Sequence, residues 1–302
     1  MKNKIIGVTG GNGFIGRHVV REALDRGYKV IIFGRHFDKF VNLEKNLECF
    51  LGDVTNFRSV NDFVQKCNYV INLAGLLGTQ ELVNNPISAI ETNTIGCLNF
   101  LKALVTNKFL DVKGVEITTG NHWMFNPYAI SKEAAERFCF MYNKEFKTRV
   151  ALVRGYNAYG CWQKHAPIRK IIPYFIVKAL RGEDIGVYGN GKQICDLIHV
   201  KDLASILVDA VVKDHGVYNK TFEAGSGIKL TVKDVAELII RLTGSKSKLE
   251  YLPLRPGEEK DAVVLANTET LKPLGERKFI DLEVGMKETI EWYKKNYNWE
   301  NL

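Results

Sequence analysis

The stretch VTGGNGFIG, residues 8–16, decides the fold. It ends an apolar run, KIIGVTG (4–10), and leads into RHVVREALDRGY (17–28), whose apolar residues fall at helical spacing. Gly11, Gly13 and Gly16 satisfy G-x-G-x-x-G, and Gly10, Gly13 and Gly16 satisfy the related G-x-x-G-x-x-G. Glycines so placed permit a tight turn, let the backbone approach a pyrophosphate and let helix pack on strand, while the helix N-terminus meets the negative charge. Alone the pattern is weak. A second apolar strand, KVIIFG (29–34), directly after the helix turns it into the expectation of a β–α–β dinucleotide site rather than a structural glycine turn.

The same rhythm continues outward. LECFLGDV (47–54), YVINLAG (69–75), GVEITTG (114–120) and RVALVRG (149–155) are apolar runs, separated by helical stretches at 59–67 and 86–107. Continuous rather than alternating apolar strands between helices indicate a parallel sheet covered on both faces, an α/β doubly wound fold of the Rossmann type. Ligands of such sheets sit beyond the carboxyl ends of the strands, where the glycines and polar residues collect. After about residue 155 the rhythm loosens into a helix over PIRKIIPYFIVKALRGE, strands in IGVYGNGKQICDLIHV, a Thr-started helix in TVKDVAELIIRLTG and a closing helix in EVGMKETIEWYKKNY. We expect a dinucleotide-binding lobe over 1–155 and a smaller α/β substrate lobe over 156–302, with some of its elements returning to the first.

At 302 residues the chain can bury a substantial core. The net charge of +8 is spread along the chain with no run of five or six basic residues, which argues against nucleic acid and suits a phosphorylated or nucleotide-linked substrate. The cysteines at 49, 67, 97, 139, 161 and 195 form no C-x-x-C pair and have no His at ligand spacing, so free thiols in a reducing compartment are expected and a metal is not. No apolar run approaches a membrane span, and the start, MKNKIIGVTGG, lacks the features of a leader. A cytoplasmic location is expected.

The end of the second strand bears on the cofactor. An NAD site usually places an acid there for the ribose 2′-hydroxyl. Here the chain reads Phe33-Gly34-Arg35-His36. Arg35 can pair with a 2′-phosphate, which favours NADP over NAD. The plain alternative is a solvated loop arginine, and Asp38 stands too far along to replace the missing acid.

TTGNHWMFNPYAISK (118–132) places Tyr128 four residues before Lys132, on one face of a helix. Together with TGGNGFIG, GDV (52–54), NLAG (72–75), PYAISKEAAE (127–136), RGYNAYG (154–160), DLIHVKDLA (196–204) and RPGE (255–258), it makes a chain that resembles, over nearly its whole length, the extended short-chain dehydrogenases/reductases of the nucleotide-sugar epimerase/dehydratase family. The resemblance implies that Tyr128 is the acid/base, that Lys132 holds the nicotinamide ribose and that Thr119 bonds the substrate hydroxyl, with Thr118 as the runner-up. It implies a cofactor site of Gly10, Gly13, Phe14, Ile15, Gly16, Arg35, Asp53, Val54, Leu73, Ala74, Gly75, Asn93 and Tyr156 together with Tyr128 and Lys132. On the substrate side it implies Asn157 and Arg255 at a nucleotide diphosphate and Tyr188 near the base. The chemistry agrees, because a free tyrosine with a pKa of about 10 is a weak base at neutral pH and a nearby ammonium favours its phenolate.

Two departures from the family pattern stand out. Cys195 occupies the position where relatives carry an arginine for the diphosphate, so either another cation substitutes, with Lys192 nearest in sequence and Lys164, Arg169 and Lys170 as further candidates, or the substrate is not the usual sugar diphosphate. The loop GNHWMFNP between Thr119 and Tyr128 is short and lacks the carboxylates of family dehydratases and decarboxylases, leaving His122 as the one candidate base there. The expected function is therefore an NAD(P)-dependent nucleotide-sugar epimerase of the UDP-glucose 4-epimerase type. An NADPH-dependent ketoreductase of a keto-sugar is the alternative, and a catalytically inactive nucleotide-binding protein is the third reading. Helices 88–105 and 129–146 resemble those through which family members pair, so a homodimer is expected.

Overall fold

The computed structural model describes residues 4–37 and 45–296, so Asp38 lies outside the described residues. The first half runs β1 (Ile5–Thr9), α1 (Phe14–Asp25), β2 (Lys29–Gly34), β3 (Leu47–Leu51), α2 (Phe57–Val64), β4 (Tyr69–Asn72), α3 (Pro86–Ala89), α4 (Gly96–Thr106), β5 (Lys113–Thr119), α5 (Pro127–Phe146) and β6 (Val150–Gly155). The second half adds β7 (Asn157–Tyr159), α6 (Ile171–Leu180), β8 (Ile185–Tyr188), β9 (Ile194–Cys195), β10 (Leu197–His199), α7 (Val200–Val212), β11 (Thr221–Ala224), β12 (Leu230–Thr231), α8 (Val232–Thr243), β13 (Leu249–Leu252), β14 (Val263–Val264) and α9 (Leu282–Asn296).

The main sheet has seven parallel strands in the order β3-β2-β1-β4-β5-β6-β11. The order reverses between β1 and β4, and ligands of open parallel sheets bind at such a switch point. Both faces are apolar because successive side chains alternate. Ile32 joins Val8, Ile71 and Val153 under α1 and α7, whereas Ile31 joins Val70 and Leu152 under α2, α4 and α5. β11 and α7 thus return from the second half to the main sheet. A separate core of α6, α8, α9, β8 and β9 carries Ile176, Val187, Ile239 and Met286.

The sequence reads residues 86–107 as one helix. The structure interrupts it with a six-residue π-helical stretch, Ile90–Ile95, between α3 and α4. Asn93 lies within that stretch, its amide donating to the Leu76 carbonyl and the Ser131 hydroxyl, so the widened turn brings a polar side chain to the loop beyond β4.

One buried carboxylate brackets the second half. Asp196, wholly buried, accepts from the Ser226 amide (2.7 Å) and hydroxyl (2.8 Å), the Gly227 amide (2.9 Å) and the Ala266 amide (3.1 Å). It thereby joins the β9–β10 junction to the segments that follow β11 and β14. Asp196→Ala would strand these buried donors and should cost about 3 kcal/mol. A urea midpoint equal to that of the wild type would show that the bracket is dispensable.

Candidate active site

The glycine loop lies at the switch point. Gly10 adopts φ +67°, and a Cβ on Gly16 would stand 2.2 Å from the Gly10 carbonyl oxygen and 2.7 Å from the Gly11 Cα, so only glycine lets α1 sit this close to the turn. The α1 N-terminus has no side-chain cap and no acid in its first turn, leaving its amides and positive dipole end available to an anion. This cradle fits a dinucleotide pyrophosphate. Phe14 and Ile15 begin the helix and line the neighbouring cavity.

Around the loop, Asp53 accepts from the Thr55 amide and hydroxyl, both at 2.9 Å. The Thr55 amide holds its carboxyl below the usual range against the pull of burial, and Arg35 adds to the effect from the end of β2. Arg35 is exposed, and Val54 is buried with its carbonyl accepting from Asn99. Leu73 and Ala74 both donate their amides to the Thr9 hydroxyl at 3.0 Å, which ties the ends of β4 and β1 together. Gly75 follows, with the Lys132 Nζ 3.5 Å from where its Cβ would be.

Asn126 caps α5, its side chain accepting from the Ala129 amide, and Pro127 presets the first turn, so Tyr128 emerges at the helix start. Lys132, one turn on and 3% exposed, donates to Glu116 Oε1 (3.2 Å) and the Ile117 carbonyl (2.8 Å). Thr119, at the end of β5, donates its hydroxyl to Asn121 Oδ1, whereas Thr118 turns to Glu136 at 3.0 Å. Glu136 also holds Arg154, and Arg154 reaches Glu223, which accepts from the Tyr156 hydroxyl at 2.9 Å. Burial and then Glu223 raise the Tyr156 phenol well above its ordinary range, so this tyrosine is a structural donor.

A cavity of about 350 Å³ joins Phe14, Thr119 and Tyr128 to Asn157, Tyr188 and Arg255. Asn157 is oriented by the Asp196 carbonyl, which accepts from its amide at 3.1 Å and its side chain at 3.0 Å. The Arg255 guanidinium stacks 4.7 Å from the Tyr188 ring centroid and pairs with Glu258. Lys192 and Lys164 are exposed and outside the lining, and the half-buried His122 also lies outside it, whereas Arg169 and Lys170 line the cavity and Arg169 donates to the Tyr188 hydroxyl. Lys170 lies 5.9 Å from the Tyr128 ring centroid; burial lowers its pKa, and Arg255 adds to this while Glu81 opposes it. Cys195 also lines the cavity, burial pushing its thiol up to about 12.

Sequence reasoning passed over Glu116 and Asn72, although an acid inside the apolar strand GVEITTG was a visible signal. Among the described residues no cluster of three or more His, Cys, Asp or Glu is placed to hold a metal, and no helix is long and apolar enough to cross a membrane.

The chain is 29% identical to a UDP-N-acetyl-alpha-D-glucosaminuronate decarboxylase of Bacillus cytotoxicus, over 99% of this chain and 100% of the relative. It is 26% identical to a putative UDP-glucose 4-epimerase of Methanocaldococcus jannaschii, over 96% and 98%. The crystal structure of a Thermotoga maritima UDP-glucose 4-epimerase with UDP-glucose superposes with a TM-score of 0.87 at 26% identity, covering 97% of this chain and 100% of the other. Residues 6–225 match the profile of the NAD dependent epimerase/dehydratase family, and the chain belongs to that family, as an enzyme of the extended short-chain dehydrogenase/reductase type.

Proposed function

We propose that the protein is a nucleotide-sugar epimerase of the UDP-glucose 4-epimerase type, with Tyr128 as its acid/base. The observation that carries this reading is the convergence of Tyr128 and Thr119 on one cavity that also reaches Arg255 and Asn157. The residues directly after Thr119 are Gly120, Asn121 and His122, so the acid that dehydration or decarboxylation needs beside Thr119 is missing there. The nicotinamide, when bound, supplies the acceptor and donor of hydride. Tyr128 takes the proton of a sugar hydroxyl as its carbon is oxidised and returns it after the ketone has turned over. Thr119 orients that hydroxyl, and Lys132 supplies the neighbouring positive charge. Arg169, Lys170 and Arg255 serve the diphosphate in place of the arginine lost at Cys195.

Tyr128→Phe keeps the ring and removes the ionisable hydroxyl. Turnover should fall about 100-fold or more while dinucleotide affinity is retained. The assay is a panel of UDP-, GDP- and dTDP-sugars, with epimers resolved by chromatography and cofactor followed by its near-ultraviolet absorbance. An epimer formed without net cofactor change supports the proposal. Stoichiometric consumption of the reduced cofactor would instead establish the ketoreductase reading, which Arg35 favours.

Arg35, exposed at the end of β2, also motivates a preference for NADP over NAD. One charge-assisted contact is worth about 1.5–3 kcal/mol, so Arg35→Ala should cut the preference by roughly 10- to 100-fold. Calorimetry giving tighter NAD binding to the wild type would reject it.

A two-fold dimer through α5 and the α3–α4 segment fits the apolar residues left exposed there, Ile87 (67%), Ile90 (46%), Ile95 (41%), Ile130 (52%) and Met141 (39%). Phe138 and Phe140 instead pack against their own core. Ile90→Glu should convert the dimer to monomer in sedimentation velocity, and a wild type that already sediments as a monomer at micromolar concentration would end the proposal.

A further inference from the structure

Glu116 has no part in the chemistry described above, yet it is fully buried inside β5, where a lone carboxylate is costly. Its two oxygens are both engaged. Oε1 accepts from the Lys132 ammonium at 3.2 Å, and Oε2 accepts from the Asn72 side-chain amide at 2.5 Å. Asn72 is held in turn by the Thr9 hydroxyl, also at 2.5 Å, and that hydroxyl accepts the amides of Leu73 and Ala74. The line Thr9–Asn72–Glu116–Lys132 therefore runs from the carboxyl ends of β1 and β4 to the middle of β5 and finishes on α5, one turn beyond Tyr128.

The two thiols near Lys132 carry no charge near neutral pH. Tyr128 shares its helix, Cys97 faces it from α4 and Cys139 from α5. The Cys97 thiol is pushed well up by its contact with Cys139 and by burial, and the Cys139 thiol is pushed up mainly by burial. Glu136, the next acid, is already bound to Arg154.

We propose that Glu116 is a positioning residue of the Tyr128 site, a buried carboxylate that keeps the Lys132 ammonium charged and fixed beside Gly75. Burial without a partner can lower a lysine by about 3–5 pKa units, enough to strip its charge near neutral pH. Glu116 opposes that loss. Burial pulls Lys132 down, but Glu116, with smaller contributions from its other neighbours, outweighs it and leaves the lysine above its ordinary value. The same burial raises Glu116 against the opposing pull of Lys132 and Asn72. The sign follows: a raised lysine stays charged through the alkaline range, and removing the carboxylate lets its proton leave at lower pH.

The inference rests on Tyr128 and Lys132 forming the acid/base site, but not on which sugar is used. Its test is an NMR pH titration of the full chain, free of cofactor, with isotope-labelled lysine and the Lys132 signal identified by its loss in Lys132→Arg. Wild-type Lys132 should titrate above the surface lysines. In Glu116→Gln it should move down by about two units or more, the alkaline limb of the turnover profile should move the same way, and Glu116→Asp should recover part of the shift. A Lys132 titration unmoved by Glu116→Gln overturns the proposal, even if turnover drops uniformly at every pH. So does a wild-type Lys132 that titrates below the surface lysines, a result that needs no variant to fold. If Tyr128→Phe proves fully active, the proposed chemistry fails separately, because the lysine titration involves neither substrate nor turnover.

Discussion

The site depends on one hydroxyl. Thr9 closes β1 at the point where the strand order reverses, and its oxygen accepts two amides from the loop beyond β4 while donating to Asn72. A parallel sheet splits at this point because its crossovers leave to opposite faces, and the split opens a crevice. The crevice is useful only if its two lips stay in register. Thr9 holds them so, with the glycine turn on one side and Leu73, Ala74 and Gly75 on the other. Lys132 and Tyr128 approach from α5 over β5, the next strand in the order.

How far the sequence could be read follows from which interactions are local. The glycine loop, the apolar strands and the Asn-Pro start of α5 act over a few residues, and each is visible as a pattern. Asn126 caps its own helix three residues on, and Thr231 forms a capping box with Asp234, so the starts of α5 and α8 were legible. The π-helical stretch was not, because Ile90–Ile95 widens to suit contacts with Leu76 and Ser131 that are distant in sequence. Which of the candidate cations line the cavity was not legible either, for a similar reason. Lys192 is closest to Cys195 in the chain, but the turn at Asn190 binds its amide and leaves its side chain exposed, while α6 brings Lys170 to the cavity.

Three carboxylates of the interior are each met by a cation from another element. Glu136 lies against Arg154, Glu116 against Lys132, and Asp209 against both Arg26 and Arg277. Such pairs add little net stability compared with apolar packing of the same volume, and breaking one leaves a charge without its compensation. Their value lies in geometry. The Glu136–Arg154 pair fixes the Thr118 hydroxyl on Glu136, while the Thr119 hydroxyl turns to Asn121, so two adjacent threonines that both line the cavity are held by different partners.

At the far end of the cavity the same logic explains how an arginine can be absent from β9. Cys195 belongs to the apolar core beneath α6 and α8, and its thiol is kept neutral there. It therefore brings no charge to the cavity wall. Arg255 and Arg169 each lie on an aromatic face instead, Arg255 over Tyr188 and Arg169 over Tyr174, both at 4.7 Å. Stacking covers one side of a planar cation while its edge keeps donors for oxygen, so the two arginines can be ordered before an anion arrives. Tyr188 touches both, since its hydroxyl accepts from Arg169 and its ring carries Arg255. A tyrosine at the end of β8 can therefore organise two cations that come from different loops.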